Sequence, residues 1–397
     1  MDVVRVCSEL VKIKSENPPG DTKEAAQYIA SLLECLGIRS DITEGAPGHC
    51  NVISREQNRA LMLSGHVDVV PAMEEGWDIP PYAGVVDDTY VHGRGSTDMK
   101  GGCAAVLSAV ARVMDEGGGE VPVALAFVCD EEGGGRYGMR YLIEKQLIHP
   151  CDALIAEPTP AFAPSVGQKG ICRFEVEFTG TPGHSSLFPV VGDSAIMQAF
   201  SFLSWMDRLH ERVYPQTPAM EELIAHSIAI SDMQEGQEGY DLSPIFRQIM
   251  YNPGLISGGE RVNIVAQKCR LTMDLRLPWG CDCDEVLGEV YGHLPVSARV
   301  TPITKANASL TDPESFLVRS TCDAIGAVYD VSSRPMVQWA ASDARALRKA
   351  GFRAIEYGPG ELCGLHGLNE RVRIDQLRSV EEIYFRLIQM YGQRFGF

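Results

Sequence analysis

The chain is short of positive charge: 35 Lys and Arg stand against 53 Asp and Glu in 397 residues, a formal net charge of -18. A surface that acidic repels phosphate backbones and anionic lipid, so nucleic-acid and membrane-surface partners are not expected. Long hydrophobic runs are missing too. The longest, Val121 to Cys129, contains Pro122 and falls far below the roughly 20 residues that span a bilayer. The amino terminus shows neither a basic stretch nor a small-residue cleavage site, and the chain therefore reads as cytoplasmic. Internal repeats and low-complexity tracts are absent. Cysteine is present, twelve in all, but scattered. Cys7, Cys35, Cys103, Cys129, Cys172 and Cys322 lie far apart in apolar contexts and read as reduced core residues. Cys281 and Cys283 form a C-x-C pair in a polar turn, without the second pair that a structural zinc site needs.

What is there is an ordinary globular balance, 45% hydrophobic and 22% charged, at a length that calls for two domains or one with a large insertion. Asp21 and Glu24 read as a capping box ahead of Ala25, Ile29, Leu32 and Leu36, a helical spacing that Gly37 ends. Short apolar runs at Ala60 to Ser64, Val121 to Cys129 and Ala153 to Ala156 alternate with a small-residue helix from Gly102 to Met114. That order predicts an α/β fold, a mixed or parallel sheet with helices on both faces. From Ile171 the period changes to two: Cys172, Phe174, Val176 and Phe178 form one half-exposed strand, and Leu271, Met273, Leu275 and Leu277 another. Between them lie a helix, Asp193 to Arg212, and a polar segment, Ser231 to Gly259. The expected division is a catalytic domain over 1–172 and 296–397, with an α+β lid or dimerisation domain inserted over 173–295. Phe352 to Tyr357 and Ile374 to Met390 supply a last strand and helix.

Chemistry-bearing residues gather where these strands end. Leu61 to Leu63 runs into His66 and Asp68, at the carboxyl end of a strand where α/β sheets bind ligands. A carboxylate two residues from a ligating imidazole fixes its tautomer and raises its basicity. Asp98 sits in the loop Gly93 to Gly102, whose glycines resemble a phosphate cradle but lack the G-x-x-x-x-G-K-[ST] order. Val121 to Cys129 delivers Glu131 and Glu132, Ala153 to Ala156 delivers Glu157, and His366 follows the last strand. Two imidazoles and four carboxylates exceed the needs of one tetrahedral zinc. They suit two metals sharing a bridging carboxylate, with one acid left over as general base. No G-x-S-x-G is present, and no activated serine or cysteine is signalled as a nucleophile instead.

The motifs SGHVDVVPA, GRGSTDMKGG, DEEGGG, AEPT, GTPGHSS and HGLNE, in this order, resemble the zinc aminoacylase and carboxypeptidase family that includes succinyl-diaminopimelate desuccinylase, acetylornithine deacetylase and aminoacylase. The resemblance spans essentially the whole chain. It implies a zinc-peptidase-like catalytic domain and two Zn2+ per chain, with Co2+ or Mn2+ as possible substitutes. His66, Asp98 and Glu157 would hold one ion and Asp98, Glu132 and His366 the other, with Glu131 the general base, Asp68 orienting His66, and a cis peptide at Asp98-Met99. His184 would reach a partner subunit's active site and stabilise the oxyanion, which implies a homodimer through the lid. Asn263 and Arg276, in Arg261-Val262-Asn263-Ile264 and Asp274-Leu275-Arg276, would bind the substrate's α-carboxylate. Val265 stands where many members have proline. Ser342-Asp343-Ala344-Arg345 and Gly358-Pro359-Gly360 are closer to the desuccinylase and its relatives. The implied reaction removes an acyl group from an N-acyl amino acid: the metals polarise the amide carbonyl and acidify a water, and Glu131 moves its proton to the leaving amine. A dipeptidase or carboxypeptidase of the same family is the alternative.

Overall fold

The structure, a computed structural model, describes residues 1–117, 123–231 and 240–396. Two helices, α1 (Val3–Lys12) and α2 (Lys23–Cys35), precede a hairpin of β1 (Ser40–Ala46) and β2 (His49–Ser54). There follow β3 (Leu61–His66), β4 (Tyr90–His92), α3 (Lys100–Gly117), β5 (Ala124–Val128), α4 (Met139–Glu144), β6 (Asp152–Ile155) and β7 (Ser165–Gln168). The middle of the chain forms β8 (Gly170–Thr179), α5 (Ala195–His210), α6 (Pro218–Ser231), α7 (Ser243–Arg247), β9 (Met250–Gly258), β10 (Lys268–Leu277), α8 (Cys283–His293) and β11 (Arg299–Ala306). The last part comprises β12 (Ser309–Leu310), α9 (Phe316–Tyr329), β13 (Met336–Gln338), α10 (Ala344–Lys349), β14 (Arg353–Glu356), β15 (Arg371–Arg373) and α11 (Ile374–Phe395).

Two sheets result. The larger runs β1-β2-β5-β3-β6-β14-β7-β12, with β13 also on β7, and its centre, β5-β3-β6-β14, is parallel. Strands buried on both faces read as continuous apolar runs, which is why Leu61 to Leu63 and Ala124 to Val128 are buried throughout. The smaller sheet, β11-β8-β10-β9, is antiparallel. β8 and β10 alternate buried and part-exposed residues, the period that the sequence predicts.

Several elements depart from the sequence expectations. α2 has no capping box: Thr22 is its N-cap without a side-chain cap bond, because the Thr22 hydroxyl donates to the Cys50 carbonyl at 3.0 Å. Asp21 accepts from the Lys23 amide instead, at 3.1 Å. The strand read from Val121 begins at Ala124, and residues 121 and 122 lie outside the described residues. The polar segment Ser231 to Gly259 contains α7 and β9, while 232–239 are outside the described residues. β11, beyond residue 295, belongs to the small sheet, whereas Met220, Leu223 and Ile224 of α6 and Phe246 of α7 pack into the core of the large one. No cysteine is in a disulfide among the described residues, but Cys35 is exposed and Cys322 half-buried, and Cys281 and Cys283 are buried. No helix among the described residues is long and apolar enough to cross a membrane.

Candidate metal and catalytic site

The parallel strands β3, β5, β6 and β14 point their carboxyl ends to one edge, and there the structure gathers the ligand-type side chains. His66 closes β3 and its Nε2 lies 3.0 Å from Asp98 Oδ1 and 3.8 Å from Glu157 Oε1. His366, on the loop after β14, places Nε2 3.3 Å from both Asp98 Oδ2 and Glu132 Oε1. Two groups therefore form, His66-Asp98-Glu157 and Asp98-Glu132-His366, sharing Asp98. The peptide Asp98-Met99 is cis, and His366 and Asp130 adopt the left-handed backbone region, at φ 59 and 62. Non-glycine residues take that conformation where the surroundings enforce it.

Electrostatics at the cluster follow from crowding anions in a dry site. Burial would raise Asp98, but hydrogen bonds from His366 and His66 override it and hold the carboxyl well below the usual range. Burial would lower His66, and Asp98, Glu157 and Asp68 outweigh it, raising the imidazole well above its ordinary value. Burial pushes Glu131 and Glu157 well up, opposed by His66 and reinforced by neighbouring acids. Glu132 Oε1 is buried, and the His366 imidazole at 3.3 Å faces it. Two imidazoles, Glu157, Glu132 and a shared aspartate, their ligand-type atoms converging in two groups, form the donor set that two divalent ions need, so the residues fit such a pair.

The positioning residues differ from the expectation for Asp68. His66 Nδ1 donates to the main-chain carbonyl of Asp68 at 2.9 Å, and the Asp68 carboxylate is farther, at 3.6 Å. That carboxylate instead accepts the amides of Glu131 and Glu132, each at 3.2 Å, and the Asn17 side chain at 2.9 Å. Asn17 also donates to Asp130 at 3.1 Å. Sequence reasoning passed over Asn17, and only its place before Pro18-Pro19 hints at a special conformation. Glu370 and Arg94 lie inside HGLNE and GRGSTDMKGG, whose resemblance gives them no role. Glu370 Oε1 accepts the amides of Gly95 and Thr97 at 3.0 Å and of Asp98 at 3.1 Å, while its other oxygen pairs with Arg94. Arg94 Nη2 donates to the carbonyls of His366 and Gly367 at 3.2 and 3.1 Å, so one ion pair ties both loops of the cluster. Removing one partner strands a buried charge. Glu370→Ala should cost about 3–5 kcal/mol of unfolding free energy, measured by denaturant titration; an unchanged midpoint would contradict the cross-tie.

A cleft of about 1370 Å³ opens beside the cluster, lined by Glu131, Glu132 and Arg276. His184 and Asn263 do not line it. They are exposed in the small-sheet unit, bridged to each other's segment by the Ser185 amide on the Asn263 carbonyl at 3.3 Å. The structure therefore brings together the six residues of the cluster with Asp68 and Arg276, and leaves His184 and Asn263 apart from them.

Histidines and carboxylates at the ends of parallel strands, beside a cleft shared with a second sheet, define a metallohydrolase of α/β type. The chain belongs to peptidase family M20/M25/M40, whose profile matches residues 62–390. It is 26% identical over 340 residues to succinyl-diaminopimelate desuccinylase of Helicobacter hepaticus, covering 83% of this chain and 79% of that protein. It is 25% identical to rat (Rattus norvegicus) aminoacylase-1A over 405 residues, covering 97% and 94%. Among solved structures, the metallo-carboxypeptidase Sso-CP2 of Sulfolobus solfataricus superposes with a TM-score of 0.80 at 19% identity, over 99% of this chain and 100% of that one. The Bacillus subtilis YXEP protein, described as a dinuclear metal binding peptidase of the family, gives 0.66 at 12% identity over 98% and 97%.

Proposed function

We propose that the chain removes the acyl group from an N-acyl amino acid at a centre of two Zn2+ ions, with Co2+ or Mn2+ as substitutes. The observation that carries this reading is the pair of ligand groups sharing Asp98, with Glu131 outside both and in the field of His66, Glu132 and Asp98. The desuccinylase and aminoacylase relatives support an acyl-amino-acid substrate over a peptide. Bound ions would supply Lewis-acid polarisation of the amide carbonyl and acidify a water. Glu131 then accepts the water's proton and returns it to the leaving nitrogen, a role its burial suits by raising its proton affinity. Arg276 on the cleft wall holds the α-carboxylate, and Asp68 keeps His66 and the acid loop in register. Cysteines without disulfides suit a reducing cytoplasm.

We also place a lid over 173–295, extended through β11, and a homodimer formed through it. β9 is an edge strand exposing Leu255 (71%) and Ile256 (59%), and the adjoining α5 exposes Phe200 (61%). An apolar edge of that kind is what a second copy covers. Such a partner would carry His184 and Asn263 into this chain's cleft, where the imidazole stabilises the oxyanion. If so, His184→Ala and Glu131→Gln chains, each inactive alone, should regain about a quarter of wild-type activity when co-refolded, because statistical pairing leaves one intact site in half of the dimers. Absence of complementation in verified heterodimers would refute action in trans.

Turnover of N-succinyl-diaminopimelate, N-acetylornithine, simple N-acetyl amino acids and dipeptides by metal-loaded protein, with a chelated control, tests the reaction itself. Chelator-sensitive hydrolysis of an N-acyl amino acid is expected. Hydrolysis of dipeptides alone would move the chain to the peptidase reading.

A further inference from the structure

The chain is strongly acidic, at -18, yet eight cationic side chains line the cleft against four acidic ones. Charge concentrated against the trend of the whole surface selects what the cleft admits. Five of these cations are arginines: Arg136 on a loop, and four from four elements, Arg140 on α4, Arg173 on β8, Arg276 on β10 and Arg345 on α10. Arg173 and Arg276 share the carboxylate of Asp274, at 2.9 and 3.2 Å. Lys169 is committed as well, its ammonium donating to the carbonyls of Ile245 and of Gln248, the latter at 2.9 Å. Arg140 and Arg345 have no carboxylate partner among the described residues, and Arg345 Nη1 is buried without a hydrogen bond. The Arg345 guanidinium is desolvated and sits in the field of Arg140, Arg276 and Arg173, opposed by Glu131.

A guanidinium desolvated among like charges is unfavourable unless an anion completes the site. The acids of the cleft do not supply it: Glu131 and Glu132 face the cluster of ligand groups, and Asp343, whose carboxyl burial pushes up to about 7 against the pull of His66 and Arg140, makes no ion pair with either arginine among the described residues. Any N-acyl amino acid brings one carboxylate, and Arg276 accounts for it. A neutral acyl chain or side chain would then lay methylenes against two unpaired forks. We propose that Arg140 and Arg345 form a second subsite, for a carboxylate other than the α-carboxylate. The substrate is accordingly an N-acyl amino acid with at least two carboxylates, and Arg140 is the residue that sets this preference. The inference rests on the acyl-amino-acid reading above and narrows it.

Matched pairs test it: N-succinyl against N-butyryl, and N-acetylglutamate against N-acetylglutamine, compared by kcat/KM with metal-loaded protein. The wild type should favour each dianionic member at least about 100-fold, since a site with buried donors rejects analogues that leave them unpaired. Arg140→Ala should shrink that ratio about 10- to 100-fold, the worth of a charge-assisted hydrogen bond. Arg140→Lys should restore part of it and Arg140→Glu should reverse it. Calorimetry gives a readout apart from turnover: succinate should bind the metal-loaded wild type more tightly than butyrate, and Arg140→Ala should erase the difference. Equal kcat/KM for both members in the wild type, or an equal loss on both in Arg140→Ala, would overturn the subsite. If only dipeptides are hydrolysed, the acyl reading fails by itself. An Arg140-dependent preference for acidic over amide dipeptides would then uphold the subsite, and no preference would sink it.

Discussion

Glu131→Gln should lower kcat for amide hydrolysis by about 10²- to 10⁴-fold, the range that general acid–base catalysis contributes, with the metal content unchanged. The argument is geometric first. Glu131 belongs to neither ligand group, and its amide is held by Asp68 at 3.2 Å, so its side chain is free for proton transfer while its backbone is fixed. Burial, with Asp343 and Glu132 adding, pushes its proton affinity well above that of an ordinary carboxyl, against the pull of His66. Glutamine keeps the volume and the hydrogen bonding but cannot accept a proton. Two metal ions per chain by elemental analysis, an unaltered thermal midpoint and a collapsed kcat is the expected pattern. A fall in metal content would instead make Glu131 a ligand.

Asp98→Ala should lose both ions together. Each ligand group depends on this carboxylate, and no other residue belongs to both. Metal content should drop from about two per chain to below one, and turnover by on the order of 10³-fold or more, since Lewis-acid stabilisation is worth several kcal/mol. His366→Ala breaks one group only and should remove about one ion. Added metal should raise the thermal midpoint of the wild type and leave that of Asp98→Ala unmoved. A variant that retained two ions would show that Asp98 does not bridge.

The residues of the cluster were legible because all but Asp98, which a glycine-rich loop marks, follow short apolar runs, and four such runs become adjacent parallel strands. What holds the cluster was not legible. Asn17 reaches Asp68 across 51 residues and Asp130 across 113, and Glu370 reaches back 275 residues to the Gly95 amide. Such contacts exist only once the sheet has formed, and no local spacing encodes them. β9 escaped for a different reason. It carries Pro253 and Gly254, poor strand formers, and Gly254 falls at the register shift between Leu255 and Pro253 against β10. An edge strand tolerates this because one side of its backbone needs no partner. Arg140 carried no signal at all, being one basic residue on a short helix whose neighbours become visible only when two sheets share a cleft.

The excursion through α6 and α7 has a mechanical consequence. The chain leaves the small sheet near Val213 and returns at Gln248, which form a β-bridge, and in between it plants α6 on β13 through Ser227 and the Val337 amide. Lys169, at the crossing between the sheets, grips that return through the Gln248 carbonyl. A body joined by two neighbouring strands swings like a door; one that is also bolted to the frame by a bracket has its travel limited. Opening of the cleft therefore has to stretch this bracket, and substitutions that loosen α6 should widen the swing without touching a single residue of the reacting centre.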